Sequence, residues 1–381
     1  MKRLFKLLAI LLVLLNVLIV LSGKTWIYKA LSITYLKGEV SSYIHDFVHF
    51  PYHTVHADNH QKWALADDYN KVEIPAFAQT VNEQLETVAF LVIQNDSIRY
   101  EQYWNGYHQD SLSNSFSMAK SYVATLVGIA LKEGHIQSLD QKVCDFIPEY
   151  CDSPNSGLSI RSVLSMSSGL DWIENYYDPM GMTAEAYYGD KLHEQIMGLK
   201  VVETPGVIFR YKSGNTQLLG YILEAATEQT LSEYASEKLW NPIGAKNSAK
   251  WGTNGVDEKA YCCLNSNARD FARWGKLMLH QGNWNGTQLL DSNYVQQATS
   301  IAPLLDKHGE KNINYGYQTW LVNHQDLDIF YARGLWGQYI ICIPEKDMVV
   351  VRLGRKFGEL LPSQHHEDLF TFIDAALEMH P

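Results

Sequence analysis

The run Ser115-Phe116-Ser117-Met118-Ala119-Lys120-Ser121 decides how the rest of the chain is read. Two short β-like segments precede it. An apolar pattern at helical spacing follows it, through Tyr122, Leu126, Ile129 and Ala130. The expected local structure is strand, turn and a helix that opens near Ser117 and stops at Gly134. Residues three apart share a helix face, so Ser117 and Lys120 point the same way at the helix N-terminus. A serine hydroxyl is inert at neutral pH unless a base lies within hydrogen-bond reach. A lysine stripped of water loses its proton more easily and can be that base. The free N–H groups of a first helical turn favour negative charge on the oxygen that forms. Ser-x-x-Lys also arises by chance in a chain of 381 residues, so the pattern needs support from elsewhere.

Working outward, residues 88–94 (VAFLVIQ) read as a buried strand, Asn95-Asp96 as a turn, and residues 98–104 as the hairpin partner. The middle is mostly helical, with the firmest patterns at 216–228 and 267–280. The tail returns to strand at 315–322, 329–333, 339–343 and 348–353, then closes with an amphipathic helix at 369–379. The fold class is α/β (α+β): an antiparallel sheet built from both ends of the chain, flanked by the terminal helix and the nucleophile helix, plus a helical lobe. The expected organisation is an anchor at 1–23, an irregular lead-in at 24–85 and a catalytic domain at 86–380. Within that domain the α/β part covers about 86–135 and 310–380, and the helical lobe about 136–309.

Hydrophobic residues make up 46% and charged residues 19%, enough apolar content for a large core. A net charge of −11 with no basic stripe argues against nucleic acid as a partner. Lys2, Arg3 and Lys6 precede an apolar run, residues 7–21, broken only by Asn16. As a helix that run spans roughly 22 Å, short for a full span and long for a signal peptide. An uncleaved anchor is the first reading and a cleaved signal peptide, with secretion, the second. The positive-inside rule leaves the body in the periplasm or outside the cell, so the localisation is the cell envelope. Cys144 and Cys151 bracket a short loop and make the best disulfide candidate, against two buried thiols. Cys262-Cys263 lacks a partner at zinc-site spacing. His45, His49, His53, His56 and His60 recur near helical spacing, but Pro51 interrupts them and no acidic ligands accompany them. No metal and no cofactor is expected.

Three further stretches bear on Ser117. Phe209-Arg210-Tyr211-Lys212-Ser213-Gly214-Asn215 offers a tyrosine beside a lysine, which can hold a depressed pKa and relay a proton, or simply an aromatic before a capped helix. Tyr331-Ala332-Arg333-Gly334-Leu335-Trp336-Gly337 places glycines on an edge strand, where substrate can approach and an N–H is free for an oxyanion, or where a strand merely bends. Residues 172–179 form an aromatic and acidic loop, functional or merely solvated. G-x-S-x-G is absent, which argues against an α/β-hydrolase nucleophile elbow.

In order, SFSMAKS, LSIRSVLSMSSGLDW, FRYKSGNTQLLGYILE, NARDFARWGKLML and ARGLWGQYIICIPEKDMVVVRLG resemble the serine β-lactamase-related family. That family includes class C β-lactamases and penicillin-binding-protein-like hydrolases. The chain is most similar to the 6-aminohexanoate-dimer hydrolase branch, over about residues 86–380. The resemblance implies Ser117 as the acylated nucleophile, Lys120 as its base, and Tyr211 as the residue that protonates the leaving group and activates water. It implies an oxyanion hole from the N–H groups of Ser117 and Leu335. Tyr176, Ser213, Asn215, Arg333, Gly334 and Trp336 are the implied substrate-binding residues. Two departures stand out. Ala332 occupies the place where β-lactamases carry a Lys or His, and Arg333 alternates to the other strand face. Tyr-x-Asn of the second motif becomes Tyr211-Lys212-Ser213, with Asn215 two further on.

The expected function is a membrane-anchored serine hydrolase acting on a small amide or ester or a short peptide. The alternatives are a true β-lactamase, a D-amino-acid peptidase, and a non-catalytic penicillin-recognising sensor or cell-wall binding protein.

Overall fold

The computed structural model describes residues 1–380. Its main sheet has seven strands in the spatial order Trp320–His324, Leu327–Gly334, Gln338–Ile343, Met348–Gly354, Thr87–Gln94, Ser97–Tyr103 and Ala64–Leu65. Every neighbouring pair is antiparallel except the last, where Ala64–Leu65 runs parallel to Ser97 and Ile98. The two ends of the chain thus meet at the sheet centre, where Thr87–Gln94 pairs with Met348–Gly354. Both strands are buried along their whole length, which is why they read as unbroken apolar runs rather than alternations. Asn95 and Asp96 both take positive φ, as a two-residue hairpin turn requires.

One sheet face is covered by the closing helix Glu367–Met379, whose Leu369, Phe372, Ile373 and Ala376 pack with Phe90, Tyr339 and Val350. The opposite face corrects the sequence expectation in one respect. Its centre is held by Ala268–Leu279, where Gly275, lacking a Cβ, lets the helix settle on Val349 and Ile340. The nucleophile helix, Ala119–Glu133, packs beside it, with Trp274 donating to Thr125 Oγ1 at 2.9 Å, and against the helix Ser213–Thr227. It ends where expected, at Gly134 with φ 81°. The strand expected at 315–322 begins only at Trp320, because Gln318 takes a φ of 51° and breaks the extended run.

A second sheet, in the order Tyr52–Val55, Ala249–Gly252, Leu264–Ser266 and Ser113–Asn114, lies on the helical side. Its last strand runs directly into the nucleophile turn. Residues 24–85, expected as an irregular lead-in, therefore supply one edge strand to each of the two larger sheets. Lys2–Leu21 forms a helix of 20 residues, long and apolar enough to cross a membrane, with none of it buried. Cys144 is joined to Cys151, and Cys262 to its neighbour Cys263; Cys342 is a buried free thiol. The histidines of residues 45–60 scatter to separate partners, His45 to Tyr107 and His53 to Glu258.

Candidate active site

The turn around Ser117 is held by its neighbours on several sides. Ser115 N–H donates to Leu264 O at 3.0 Å. Phe116 takes a φ of 45°, an uncommon conformation for a bulky residue, and its N–H donates to Asn114 Oδ1 at 2.9 Å. Asn114 is in turn fixed by the buried Asp46: its Nδ2 reaches Asp46 Oδ1 at 3.3 Å and Tyr187 Oη at 3.1 Å, while Tyr187 donates to Asp46 Oδ2 at 2.7 Å. Burial pushes the Asp46 carboxyl up to about 6. Sequence reading passed over Asp46, because nothing local links it to a serine seventy residues later.

Ser117 is the middle residue of a 3₁₀ turn, Phe116–Met118, that leads into the helix Ala119–Glu133. Lys120 Nζ donates to Ser117 Oγ at 2.9 Å and to Tyr261 O at 2.9 Å. Lys120 is 1% exposed. Loss of water lowers its pKa to about 8, against the opposing pull of the Glu174 carboxylate. The ammonium lies 5.1 Å from the centre of the Tyr211 ring and 5.7 Å from that of Tyr261. Tyr211 itself moves the other way. Burial and the charge of Glu174 raise its pKa, partly offset by its contact with Ser117 and by Arg333. The direction is opposite to the depressed pKa that a neighbouring lysine suggested, and it favours the protonated phenol. Its sequence neighbour Lys212 points away, with Nζ on Leu170 O.

The third stretch approaches from the sheet. Pairing of Trp320–His324 with Leu327–Gly334 stops at Tyr331, so that edge of the strand is open from Ala332 to Gly334. A Cβ on Gly334 would lie 2.1 Å from Ser115 O, so only glycine allows the strand to touch the nucleophile turn. Leu335 follows at once, and Gln338 Nε2 braces the turn through Leu335 O at 3.0 Å and Trp336 O at 3.1 Å. Ala332 is fully buried on the Phe116 and Met118 side. Arg333 is on the other face, with its guanidinium 3.6 Å from the Trp320 ring centre and Nη1 donating to Gln364 O at 2.7 Å.

The loop after Trp172 supplies a group, Glu174, that sequence reading placed in an aromatic and acidic loop but not in the site. Glu174 accepts four hydrogen bonds: from Trp172 Nε1 at 2.7 Å, Ser213 N at 2.6 Å, Ser213 Oγ at 2.7 Å and Tyr176 Oη at 2.5 Å. It ties the loop to the start of the Tyr211 helix and is the negative charge felt by both Lys120 and Tyr211. The signal available was an acidic residue framed by Trp172 and Tyr176. Its partners at Ser213 lie too far along the chain for spacing to reveal.

The structure thus brings Ser117, Lys120, Tyr211, Tyr176, Ser213, Arg333, Gly334 and Leu335 into one cluster. Asn215 is not among the groups that reach it. Its side chain is fully buried, accepting from Ser168 Oγ at 2.6 Å and donating to Met166 Sδ. Trp336 turns its indole N–H to Ser42 O at 2.7 Å and stacks on Phe357.

Comparison with known proteins finds relatives that match most of the chain. The 6-aminohexanoate-dimer hydrolase of Paenarthrobacter ureafaciens is 28% identical over 301 residues, covering 74% of this chain and 75% of that protein. Among solved structures, a putative 6-aminohexanoate-dimer hydrolase from Bacillus anthracis superposes with a TM-score of 0.74 at 23% identity, covering 93% and 94% of the two chains. A family VIII carboxylesterase gives 0.63 at 17% identity, over 84% and 99%. The beta-lactamase family model matches residues 74–369, and the chain belongs to that family of hydrolases.

Proposed function

We propose that the protein is a serine hydrolase that cleaves an amide or ester bond through an acyl-enzyme on Ser117. The observation that carries this reading is the Lys120 Nζ to Ser117 Oγ contact of 2.9 Å, made by an amine whose pKa is lowered to about 8. Neutral Lys120 takes the Ser117 proton as Oγ bonds the substrate carbonyl carbon. The carbonyl oxygen becomes an oxyanion between the N–H groups of Ser117 and Leu335. On collapse the scissile bond breaks. Tyr211 gives its proton to the leaving group and is recharged by the Lys120 ammonium. Deacylation runs the same relay in reverse, with water giving up its proton through Tyr211 to neutral Lys120. Tyr176 and Arg333 lie beside these residues and would orient the substrate, with the buried Ser213 holding Glu174 in place. No step calls on a metal or organic cofactor.

The relatives point to small amides and esters. Lys2–Leu21 supports an anchor that holds the body at the outer side of a membrane. A fluorophosphonate probe on the purified chain tests the reading. Ser117 is labelled in the wild type and unlabelled in Ser117→Ala. A folded wild-type chain that takes no label would place it among the non-catalytic members. Fast nitrocefin turnover dependent on Ser117 would instead favour a β-lactamase, despite the buried Ala332.

A further inference from the structure

Residues 171–180 lie beside the Ser117 cluster through Glu174, and their two sides differ in chemistry. Glu174 and the hydroxyl of Tyr176 face inward to Ser213, while Ile173, Tyr177 and Met180 are exposed, Tyr177 to 91%. Water-facing loops rarely carry three large apolar side chains together. The outer side of this loop meets the exit of the apolar helix. Lys24 Nζ, three residues past Leu21, donates to Met180 O at 2.8 Å. The following helix, Trp26–Ile33, buries Trp26 and Ile33 and packs on Met182–Tyr188. Its outer side and the turn after it leave Leu31, Leu36 and Val40 exposed, Leu36 to 81%. Tyr28 Oη donates to Asn16 Oδ1 at 2.7 Å, so this helix folds back beside the span. Asn16 is five residues before the end of the span, about 8 Å at helical rise. That is the depth at which interfacial helices and tyrosines sit among lipid headgroups.

We infer that the face formed by Leu31, Leu36, Val40, Ile173, Tyr177 and Met180 rests on the bilayer surface, and that the site takes amphiphilic acyl amides or esters from it. The occupant is lipid because the face is continuous with the apolar helix, joined to it through the contacts of Lys24 and Tyr28. An acyl chain can stay in the hydrocarbon while its carbonyl, at headgroup level, reaches Ser117 past the loop. This inference rests on the anchored serine-hydrolase reading above.

The full chain in phosphatidylcholine vesicles provides the test. Flotation with the vesicles checks the anchor, and Ser117-dependent hydrolysis of p-nitrophenyl acetate checks the chemistry. A nitroxide on Tyr177→Cys then reads the face itself, against the same label on Asp326→Cys. The expected result is stronger relaxation by oxygen than by an aqueous nickel chelate at 177 and the reverse at 326. The double variant Leu36→Ser with Tyr177→Ser should keep acetate turnover within about 2-fold and lose about 10-fold or more on p-nitrophenyl palmitate in vesicles. A water-like label at 177, or an equal loss on both esters, overturns the inference while leaving the hydrolase reading intact. Dipolar broadening between labels would assign the face to a second copy and overturn it as well. A chain that fails to float removes the anchor and the inference together. A missing acetate activity removes the hydrolase reading and the substrate claim, and the label still judges the face.

Discussion

Nucleophilic attack by Ser117 should quicken steeply between pH 6 and pH 9, because Lys120 must be neutral to take the proton. With its pKa at about 8, the neutral fraction is roughly 1% at pH 6, roughly 10% at pH 7 and roughly 90% at pH 9. The second-order rate of fluorophosphonate labelling reports this step alone, so it should rise about tenfold per pH unit below 8 and then level off. Glu174 is the charge that opposes the effect of burial on Lys120. Glu174→Gln should therefore move the midpoint to lower pH, whatever it does to the plateau. Stability carries the same signature. The folded pKa lies below the ordinary 10.5, so the unfolded chain binds this proton more tightly. The Lys120 contribution is unfavourable below about 8 and is relieved as pH rises towards 10.5, by about 3 kcal/mol in all. Lys120→Met abolishes labelling and loses that rise, seen as a converging stability difference in urea titrations across the window. A flat labelling profile from pH 6 to 9, or an upward midpoint in Glu174→Gln, would refute the assignment of Lys120 as the base.

Tyr211→Phe should cut turnover of an amide substrate by about 10²–10⁴-fold, while Ser117 labelling falls far less, since the Lys120 contact survives. Stopped-flow comparison of the two rates checks the split. Gly334→Ala puts a Cβ where Ser115 O now lies, so the strand must retreat from the nucleophile turn. Turnover should drop about 10²-fold or more, as for a lost oxyanion donor, in a chain whose circular dichroism is unchanged. Asp46→Ala strips acceptors from Tyr187, Asn114 and Tyr43. A loss of about 2–4 kcal/mol in denaturant unfolding is expected, together with slower labelling. Reducing the Cys144–Cys151 link, which closes a loop of sequence separation 7, should cost about 2–3 kcal/mol. Dithiothreitol should accordingly lower the Tm of the wild type more than that of Cys144→Ser with Cys151→Ser.

Elements with local signals were readable from sequence, and elements fixed by distant partners were not. The Asn95-Asp96 turn, the Gly134 stop and the closing helix each carry their cause within a few residues. The order of motifs pointed to Ser117, Lys120 and Tyr211, which the fold brings close together. Tyr52–Val55 and Ala64–Leu65 looked irregular because each is short and finds its partner elsewhere, Ala249–Gly252 in the first case. Asp46 and Glu174 escaped for the same reason. A carboxylate on a loop has no period, and its role is set by Asn114 or Ser213, which only the fold brings near. Asn215 shows the opposite error. The motif made it a cleft residue, but its short side chain turns into the core to satisfy Ser168 and Met166.

The geometry also explains how two similar weak groups are given different tasks. Lys120 and Tyr211 are both buried next to Ser117, and both lose water, but desolvation penalises whichever form is charged. For the amine that form is the acid, so burial leaves Lys120 more often neutral, and free to accept a proton, near neutral pH. For the phenol it is the conjugate base, so burial holds the proton on Tyr211. Glu174 then acts on the two in the same direction, raising each. It limits the fall of Lys120 and adds to the rise of Tyr211. Environments that push two pKa values apart are what divide base from acid in a site working near neutral pH. A neutral glutamine at 174 would bring both values down, which raises the neutral fraction of Lys120 near pH 7 and leaves Tyr211 a readier donor. If the carboxylate matters chiefly through its charge, the labelling midpoint moves and the loop keeps its place. If it matters chiefly as the acceptor of four hydrogen bonds, substrate KM rises and the midpoint stays put. The two effects separate in one variant, since KM and the pH midpoint are measured independently.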